Sequence, residues 1–128
     1  MIIVVGGIKG GTGKTTIATN LAVLRSASGK KVLLVDADEQ KSTSVWANQR
    51  DVLDIVTKWS TIQLGGKALR SQLERMKADY DDIIVDVGGR ETTSLRAAIS
   101  IADICLIPFK PRSLDIWTLT DVKALIAE

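Results

Sequence analysis

A glycine-rich run that leads into a lysine and two threonines is the first feature of this sequence that could do chemistry. Residues 9–16 have the sequence KGGTGKTT. Glycines allow backbone angles that are closed to other residues, so successive N–H groups in such a run can point at phosphate oxygens. We expect Lys14 to reach the β- and γ-phosphates of a nucleotide and the Thr15 hydroxyl to ligate Mg²⁺. Thr16 is expected to support the α-phosphate region.

The run departs from the usual phosphate-loop pattern at one position. The pattern G-x-x-x-x-G-K-[ST] would place its first glycine at residue 8, where this chain has Ile8, and the chain adds a lysine at Lys9. A glycine turn without a ligand is the competing interpretation. The run follows a predicted strand and precedes a predicted helix, whose N-terminus carries partial positive charge, and this is the context that a phosphate loop requires.

Three aspartates form the second group of candidate residues. Asp36 and Asp38 end one apolar run, and Asp86 lies within another. In an extended chain Asp36 and Asp38 point to the same side of the sheet, and such carboxylates repel each other unless a cation or bound water lies between them. A carboxylate in an apolar strand needs a partner, which the Mg²⁺ shell would supply to Asp86. Capping and turn roles stay open for all three.

Composition excludes several classes of function. The 128 residues include no histidine and one cysteine, Cys105, which excludes histidine-dependent catalysis and an internal disulfide. The formal net charge is +2, so composition indicates no broad basic face for nucleic acid. No apolar run approaches the ~20 residues of a membrane span. We expect one domain, residues 1–128, in the cytoplasm.

Short apolar runs alternate with helical patterns along the chain. We predict strands at residues 2–6, 31–36, 60–64, 82–87 and 103–108. We predict helices at residues 15–28, 43–56, 67–78, 92–101 and 114–127. Strands that are apolar on both faces and alternate with helices predict an α/β fold, with a mostly parallel sheet covered by helices on both faces. Ligands of such sheets bind at the carboxyl ends of the strands, where the loop and the aspartates fall.

Four stretches resemble the ParA/MinD family of P-loop ATPases, and the resemblance covers essentially the whole chain. KGGTGKTT (9–16) is similar to the family's deviant Walker A motif, and VDADEQ (35–40) to its second acidic motif. IIVDVGGR (83–90) is similar to the Walker B region, and IPFKPRSLDIW (107–117) to a stretch of plasmid and chromosome partition ATPases. The resemblance implies a P-loop NTPase type of fold and favours the ParA-type branch.

The resemblance also implies roles for individual residues. Lys9 would be the signature lysine, which in this family reaches the nucleotide phosphates of the partner subunit in an ATP-bridged dimer. Lys9, Lys14 and Asp38 would be the catalytic residues, with Asp38 orienting the attacking water. Thr15, Asp36 and Asp86 would form the Mg²⁺ site, with Asp36 near the hydration shell. The residues expected to contact the nucleotide are Gly10, Gly11, Thr12, Gly13, Lys14, Thr15, Thr16 and Gly89.

A few neighbouring positions keep two interpretations. Glu39 stands where many partition ATPases have proline. Gly88 and Gly89 would let the backbone approach the γ-phosphate, as in a nucleotide-sensing switch loop. Arg90 fits a dimer interface or an ion pair equally well, and Asp115 fits a first-turn helix acid or an interface residue.

The function implied by the resemblance is that of a ParA-type partition ATPase that binds ATP with Mg²⁺ and hydrolyses it weakly to ADP and phosphate. ATP would be sandwiched in a homodimer, and hydrolysis would reopen the dimer in order to segregate or position DNA. The expected partners are a ParB-type DNA-binding adaptor and, weakly, nonspecific DNA, with nucleoid association in the cytoplasm.

Two alternatives to this function remain. One is a MinD-like positional regulator, a branch that uses a basic amphipathic C-terminal helix. The C-terminal sequence DVKALIAE has one lysine and two acids, which disfavours stable membrane binding. The other is a nucleotide-binding module without appreciable hydrolysis.

The length of the chain matters for this resemblance. Members of the family usually continue past residues 114–127 with further strands and helices, which normally hold the adenine and supply much of the DNA-binding surface. We therefore expect the C-terminal part of the family domain to be absent from these 128 residues. An open sheet edge and self-association would follow.

Overall fold

The structure, a computed structural model, describes residues 1–8, 13–38, 45–49, 59–88, 92–111 and 113–128, with the backbone alone over 113–118. Within these residues the strands are β1 (Ile2–Val5), β2 (Val32–Ala37), β3 (Trp59–Gln63), β4 (Asp82–Val87) and β5 (Ile104–Leu106). The helices are α1 (Lys14–Ala27), α2 (Ala68–Met76), α3 (Thr93–Ile99) and α4 (Ser113–Ala127). Residues 45–49 are also helical.

The predicted strands and helices are confirmed. Every predicted strand has its counterpart, and the ends of strands and helices shift by two residues or fewer. The helix predicted at 43–56 is observed over 45–49, and its other residues lie outside the described part of the chain. The alternation of short apolar runs with helical patterns therefore locates the strands and helices correctly.

The five strands form one parallel sheet in the order β3-β2-β4-β1-β5. The chain therefore adds strands first on one side of β1 and later on the other. The direction in which strands are added thus reverses at β1, and the loops that follow β1 and its neighbour β4 diverge there. In open parallel sheets ligands bind at such a point, outside the carboxyl ends of the strands. The predicted parallel α/β fold is confirmed.

Two apolar clusters hold helices against the two faces of the sheet. On one face, α1 packs against alternate strand residues; the buried members of this cluster are Ile3, Val5, Ala18, Ala22, Val32, Leu34 and Ile84. On the other face, α2, α3 and the end of α4 pack against the remaining strand residues; the buried members are Ile2, Val4, Leu33, Val35, Leu69, Leu73, Ile83, Val85, Val87, Leu95, Ala98 and Leu125. Burying strands on both faces is typical of parallel sheets.

Small side chains line the face of α1 that meets the sheet. Ala18 and Ala22 are fully buried, whereas Leu24, one of the apolar residues at helical spacing, is 65% exposed. Ile17 and Leu21 pack only partly against the same cluster. The alanines allow the helix axis to approach the strands closely, so this helix begins close above the carboxyl ends of β1 and β4.

The strand β5 forms one edge of the described sheet and is less covered than the others. It pairs with β1 alone, through Ile104, Cys105 and Leu106, and Ile104 is 40% exposed. Cys105 is half-buried against the core, and this burial raises the pKa of its thiol. β5 is thus an edge strand of the sheet that the described residues form.

The opposite edge carries an aromatic contact. Trp59, the first residue of β3, stacks on Trp46 of the helical residues 45–49, with ring centroids 5.7 Å apart and planes inclined by 17°. Such offset stacking adds to the burial of both rings. The contact attaches the segment that follows β2 to the edge of the sheet. None of the helices in the described part of the chain combines the length and apolar character needed to cross a membrane.

Candidate functional site

The helix α1 begins at the carboxyl edge of the sheet, directly after the glycine-rich run. Gly13 precedes its first residue in the left-handed region, with φ 86°, and no side chain caps the helix. The first N–H groups of a helix have no partner within it, so this end can receive an anion. Lys14 is only 7% exposed, Thr15 is half-buried, and Thr16 is exposed. A lysine, a hydroxyl and helix amides therefore converge where the sequence predicts phosphate.

Thr15 and Asp86 meet across the interface between α1 and β4. The Thr15 hydroxyl donates a hydrogen bond of 2.8 Å to Oδ2 of Asp86, although 71 residues separate the two in sequence. Asp86 is completely buried. The sequence assigned both residues to Mg²⁺, and the structure brings them into direct contact.

Asp36 lies beside Asp86 on the neighbouring strand. The two are register partners of β2 and β4, so their side chains leave the same face of the sheet, the face covered by α1. Asp36 is 2% exposed. Adjacent strands are about 4.8 Å apart, so two carboxylates are held close together in a buried place.

Asp38 lies two residues beyond Asp36, just after the end of β2, at the rim of this site. Its backbone N–H donates to Oδ1 of Asp36 at 3.1 Å, which fixes the chain direction after β2. Its carboxylate lies against the backbone of Gly88, where a Cβ would stand 3.0 Å from Oδ1 of Asp38. The residue at 88 must be small for Asp38 to keep this position, and the sequence analysis did not foresee this contact.

A pocket of about 440 Å³ opens next to Asp38, and its far wall was not foreseen from the sequence. The wall consists of the turn after β3 and the start of α3. The N–H of Gly66 donates to the Ser94 hydroxyl at 2.7 Å, and the N–H of Leu64 donates to the Asp36 carbonyl at 3.1 Å. The adjacent glycines at 65 and 66 were the available sequence signal, because Gly66 adopts φ 67°.

The donors gathered here suit Mg²⁺ when phosphate oxygens complete its shell. Mg²⁺ is held in nucleotide sites by one or two carboxylates together with substrate phosphates and waters. The Thr15 hydroxyl and the carboxylates of Asp36 and Asp86 supply such oxygen donors. Among the described residues no group of three or more His, Cys, Asp or Glu side chains could hold a metal ion.

Other predicted site residues fall outside the described part of the chain. These are Lys9, Gly10, Gly11, Thr12, Gly89 and Arg90, and the side chain of Asp115. The convergence described above therefore concerns Gly13, Lys14, Thr15, Asp36, Asp38 and Asp86.

A second acid of β4 reaches α1 at its other end. Asp82 accepts a hydrogen bond of 2.5 Å from Nε of Arg25, and its side chain is 2% exposed. The hydrogen bond and the coulombic attraction of Asp82 raise the pKa of Arg25 above its ordinary value. Asp82 is not among the site residues predicted from the sequence, although its spacing of four residues from Asp86 places both on one face of a strand.

Comparison with known proteins identifies the family of this chain. The family model of the CobQ/CobB/MinD/ParA nucleotide binding domain matches residues 3–124. The ParA protein of Rhizobium radiobacter is 32% identical over 127 residues, covering 99% of this chain and 56% of that protein. The carboxysome distribution protein A of Gloeobacter kilaueensis is 34% identical over 114 residues, covering 88% of this chain and 50% of that protein. The chain spans about half the length of these relatives.

A solved structure shares the fold. A plasmid partition protein from Borrelia burgdorferi bound to AMPPNP superposes with a TM-score of 0.80 at 24% identity, covering 98% of this chain and 68% of that one. At this identity the likeness establishes the fold alone, a five-stranded parallel sheet with helices on both faces.

Proposed function

Because the chain belongs to the CobQ/CobB/MinD/ParA nucleotide binding domain family, we propose that it acts as a ParA-type partition ATPase. In this proposal it binds ATP with Mg²⁺, dimerises around the nucleotide, and hydrolyses it weakly to segregate or position DNA. The observation that carries the proposal is the hydrogen bond between Thr15 and Asp86 at the start of α1, with Asp36 in register beside it.

The nucleotide phosphates are bound by the first turn of α1 and the run before it. Lys14 balances the charge of the β- and γ-phosphates. Lys14 is only 7% exposed, and the attraction between an ammonium and phosphate is stronger in such a shielded place than in bulk water. The residues assigned to nucleotide contact are Gly10, Gly11, Thr12, Gly13, Lys14, Thr15, Thr16 and Gly89. Bound Mg²⁺ would neutralise developing charge between the β- and γ-phosphates.

Hydrolysis is assigned to Asp38 and to a lysine from the second copy. Asp38 lies at the rim of the site and is only half-buried, so its carboxylate can reach a water in line with the γ-phosphate. Lys9 of the second copy would stabilise the charge on the transferring phosphoryl group. A single domain, residues 1–128, carries all of these groups.

The last turns of α4 pack within the fold. Val122 and Leu125 are buried, and Arg96 of α3 forms an ion pair with Glu128, the residue after α4. The proposed partners are a second copy, a ParB-type adaptor and nonspecific DNA, in the cytoplasm at the nucleoid.

A nucleotide-binding module without hydrolysis is the second candidate. Asp38 is assigned to turnover and the first turn of α1 to phosphate binding, so a chain of this fold could bind nucleotide without hydrolysing it. The test measures, in the intact protein, ATP-dependent dimerisation by light scattering and steady-state ATP turnover with and without nonspecific DNA. Dimerisation together with DNA-stimulated turnover supports the ATPase. ATP binding without turnover, measured by calorimetry, supports the module whether or not the protein dimerises, and a protein that binds no ATP contradicts both.

A further inference from the structure

Two acids of β4 hold opposite ends of α1. Asp82 and Asp86 are four residues apart on the same face of the strand. Asp86 accepts from Thr15 in the first turn of α1, and Asp82 accepts from Arg25 in its last turn. The helix therefore runs antiparallel to β4 with a polar contact at each end.

The dimensions of the two elements match this arrangement. From Thr15 to Arg25 the helix rises about 15 Å, and from Asp82 to Asp86 the strand extends about 13 Å. The two spans differ by about 2 Å, which side-chain reach accommodates. A displacement of α1 along its axis by half a turn would break both contacts.

Between the two polar contacts, α1 meets β4 through apolar side chains, and those of α1 are small. Ile84 lies midway between the acids, on the same face, and packs with Ala18 and Ala22 of α1. All three are fully buried. Methyl groups give little interdigitation along the helix axis, so apolar packing resists separation from the sheet more than it resists sliding. The position of α1 along β4 is therefore set by its polar ends.

The Arg25 end is the stronger of the two contacts. It pairs two opposite charges, a guanidinium and a buried carboxylate, at 2.5 Å, whereas at the Thr15 end only the accepting carboxylate is charged. Both hydrogen bonds are charge-assisted, and the Arg25 contact adds the attraction between two full charges. Breaking the pair also leaves Asp82 buried with its main partner removed, which penalises any movement of the helix end.

We infer that Arg25 is a positioning residue for the phosphate site, acting through Asp82 to fix the axial position of α1. It keeps the Thr15 hydroxyl on Asp86 and Lys14 at the head of the helix, ten or more residues away. The role rests on the proposed function where nucleotide is concerned, but the mechanical coupling along α1 does not.

The first arm of the test needs no nucleotide. Amide hydrogen exchange is compared in the intact protein for the wild type, Arg25→Gln, Arg25→Lys and, as a matched control, Arg96→Gln. Arg25→Gln should increase exchange about 10-fold at residues 17–19, the first hydrogen-bonded amides of α1, as well as at residues 22–28, because the first turn loses its register. Arg25→Lys restores a charged donor and should restore protection, and Arg96→Gln should leave α1 unchanged. If Arg25→Gln fails to fold, Asp82→Asn replaces it, since the amide keeps an acceptor and removes the buried charge.

The second arm measures ATP affinity with Mg²⁺ and with EDTA. Arg25→Gln should weaken Mg–ATP binding about 10-fold and affect ATP in EDTA less, since the Thr15–Asp86 contact serves the metal. Increased exchange confined to residues 22–28, with wild-type Mg²⁺ dependence, would overturn the inference and leave Arg25 a local staple. A wild type that binds no Mg–ATP would contradict the proposed function, while the exchange arm would still decide the role of Arg25.

Discussion

Asp36 and Asp86 are register partners on adjacent parallel strands, and both are buried beneath the first turn of α1. Strand pairing thus fixes the spacing of two carboxylates that are fifty residues apart in sequence, without help from a loop. A site built on strand backbones holds its donors more tightly than one built on loops. The two carboxylates therefore form the rigid base of the candidate site, and the Thr15 hydroxyl of α1 contacts this base through its hydrogen bond to Asp86.

Asp86→Asn should separate metal binding from phosphate binding. The amide oxygen can still accept from Thr15, so the fold and the helix position are retained, but the negative charge is lost. We expect Mg²⁺-dependent ATP affinity to fall about 10- to 100-fold. Calorimetric titration with and without Mg²⁺ checks this, with Asp79→Asn on the exposed turn before β4 as the control. Equal Mg²⁺ dependence in both variants would remove Asp86 from the metal site.

Lys14→Ala should abolish nucleotide binding. Hydrogen bonds to charged groups contribute about 1.5–3 kcal/mol, so loss of the ammonium alone weakens ATP binding by at least about 10-fold. Lys30→Ala removes an exposed lysine beyond the other end of α1 and should bind normally. Unchanged affinity of Lys14→Ala for ATP in calorimetry would refute the phosphate-loop assignment.

Asp38→Ala should keep ATP and trap the dimer. Asp38 lies at the rim, where its backbone N–H donates to Asp36, and we expect its removal to spare phosphate binding and to stop activation of water. Light scattering in ATP should show a persistent dimer, where the wild type returns to monomer as ATP is consumed. A variant that stays monomeric in ATP would contradict a hydrolytic role for Asp38.

Gly88→Ala should reduce turnover through Asp38 without loosening the fold. The added methyl would stand 3.0 Å from Oδ1 of Asp38, so the carboxylate must move aside. A shift of this size at a group that orients water lowers turnover about 10- to 100-fold. ATP affinity should stay near that of the wild type, and the unfolding free energy should change by less than about 1 kcal/mol. Wild-type turnover would show that the observed Asp38 position is not the active one.

Ile104→Lys should reduce self-association of the 128-residue chain. Within the described residues β5 pairs on one side only and carries an exposed isoleucine, and a charge on such an edge opposes pairing between copies. Sedimentation velocity over a range of concentrations checks this. Ile126→Lys changes an equally exposed isoleucine on α4 and serves as the control. If both variants associate like the wild type, the β5 edge is not the adhesive surface.

The sequence allows much of the fold and the base of the site to be predicted. Alternating apolar runs locate the strands, and parallel strands bring their carboxyl ends to one edge, so Lys14, Asp36 and Asp86 are expected to converge. The order of the strands is a different matter. Which strand lies next to β4 depends on packing of both sheet faces, and only that order makes Asp36 and Asp86 register partners.

Side-chain contacts between elements that are distant in the sequence cannot be predicted from local residue patterns. Nothing near Arg25 in the sequence points to Asp82, 57 residues away, because the pairing depends on the tilt and height of α1. Helical spacing of large apolar residues predicts α1 correctly but does not tell which of its side chains are buried. Leu24 is exposed while Ala18 and Ala22 are buried, because close approach to a sheet favours small side chains.

The stacked indoles of Trp46 and Trp59 make this protein its own optical probe. Two indoles whose ring centroids lie 5.7 Å apart couple their electronic transitions, and transition dipoles that are skewed to each other within such a stack give a signed doublet in circular dichroism that single indoles lack. Trp46 follows Asp38 by eight residues, whereas Trp59 belongs to the sheet. The doublet should therefore report, without any label, whether the chain beyond Asp38 keeps its place when ATP is added.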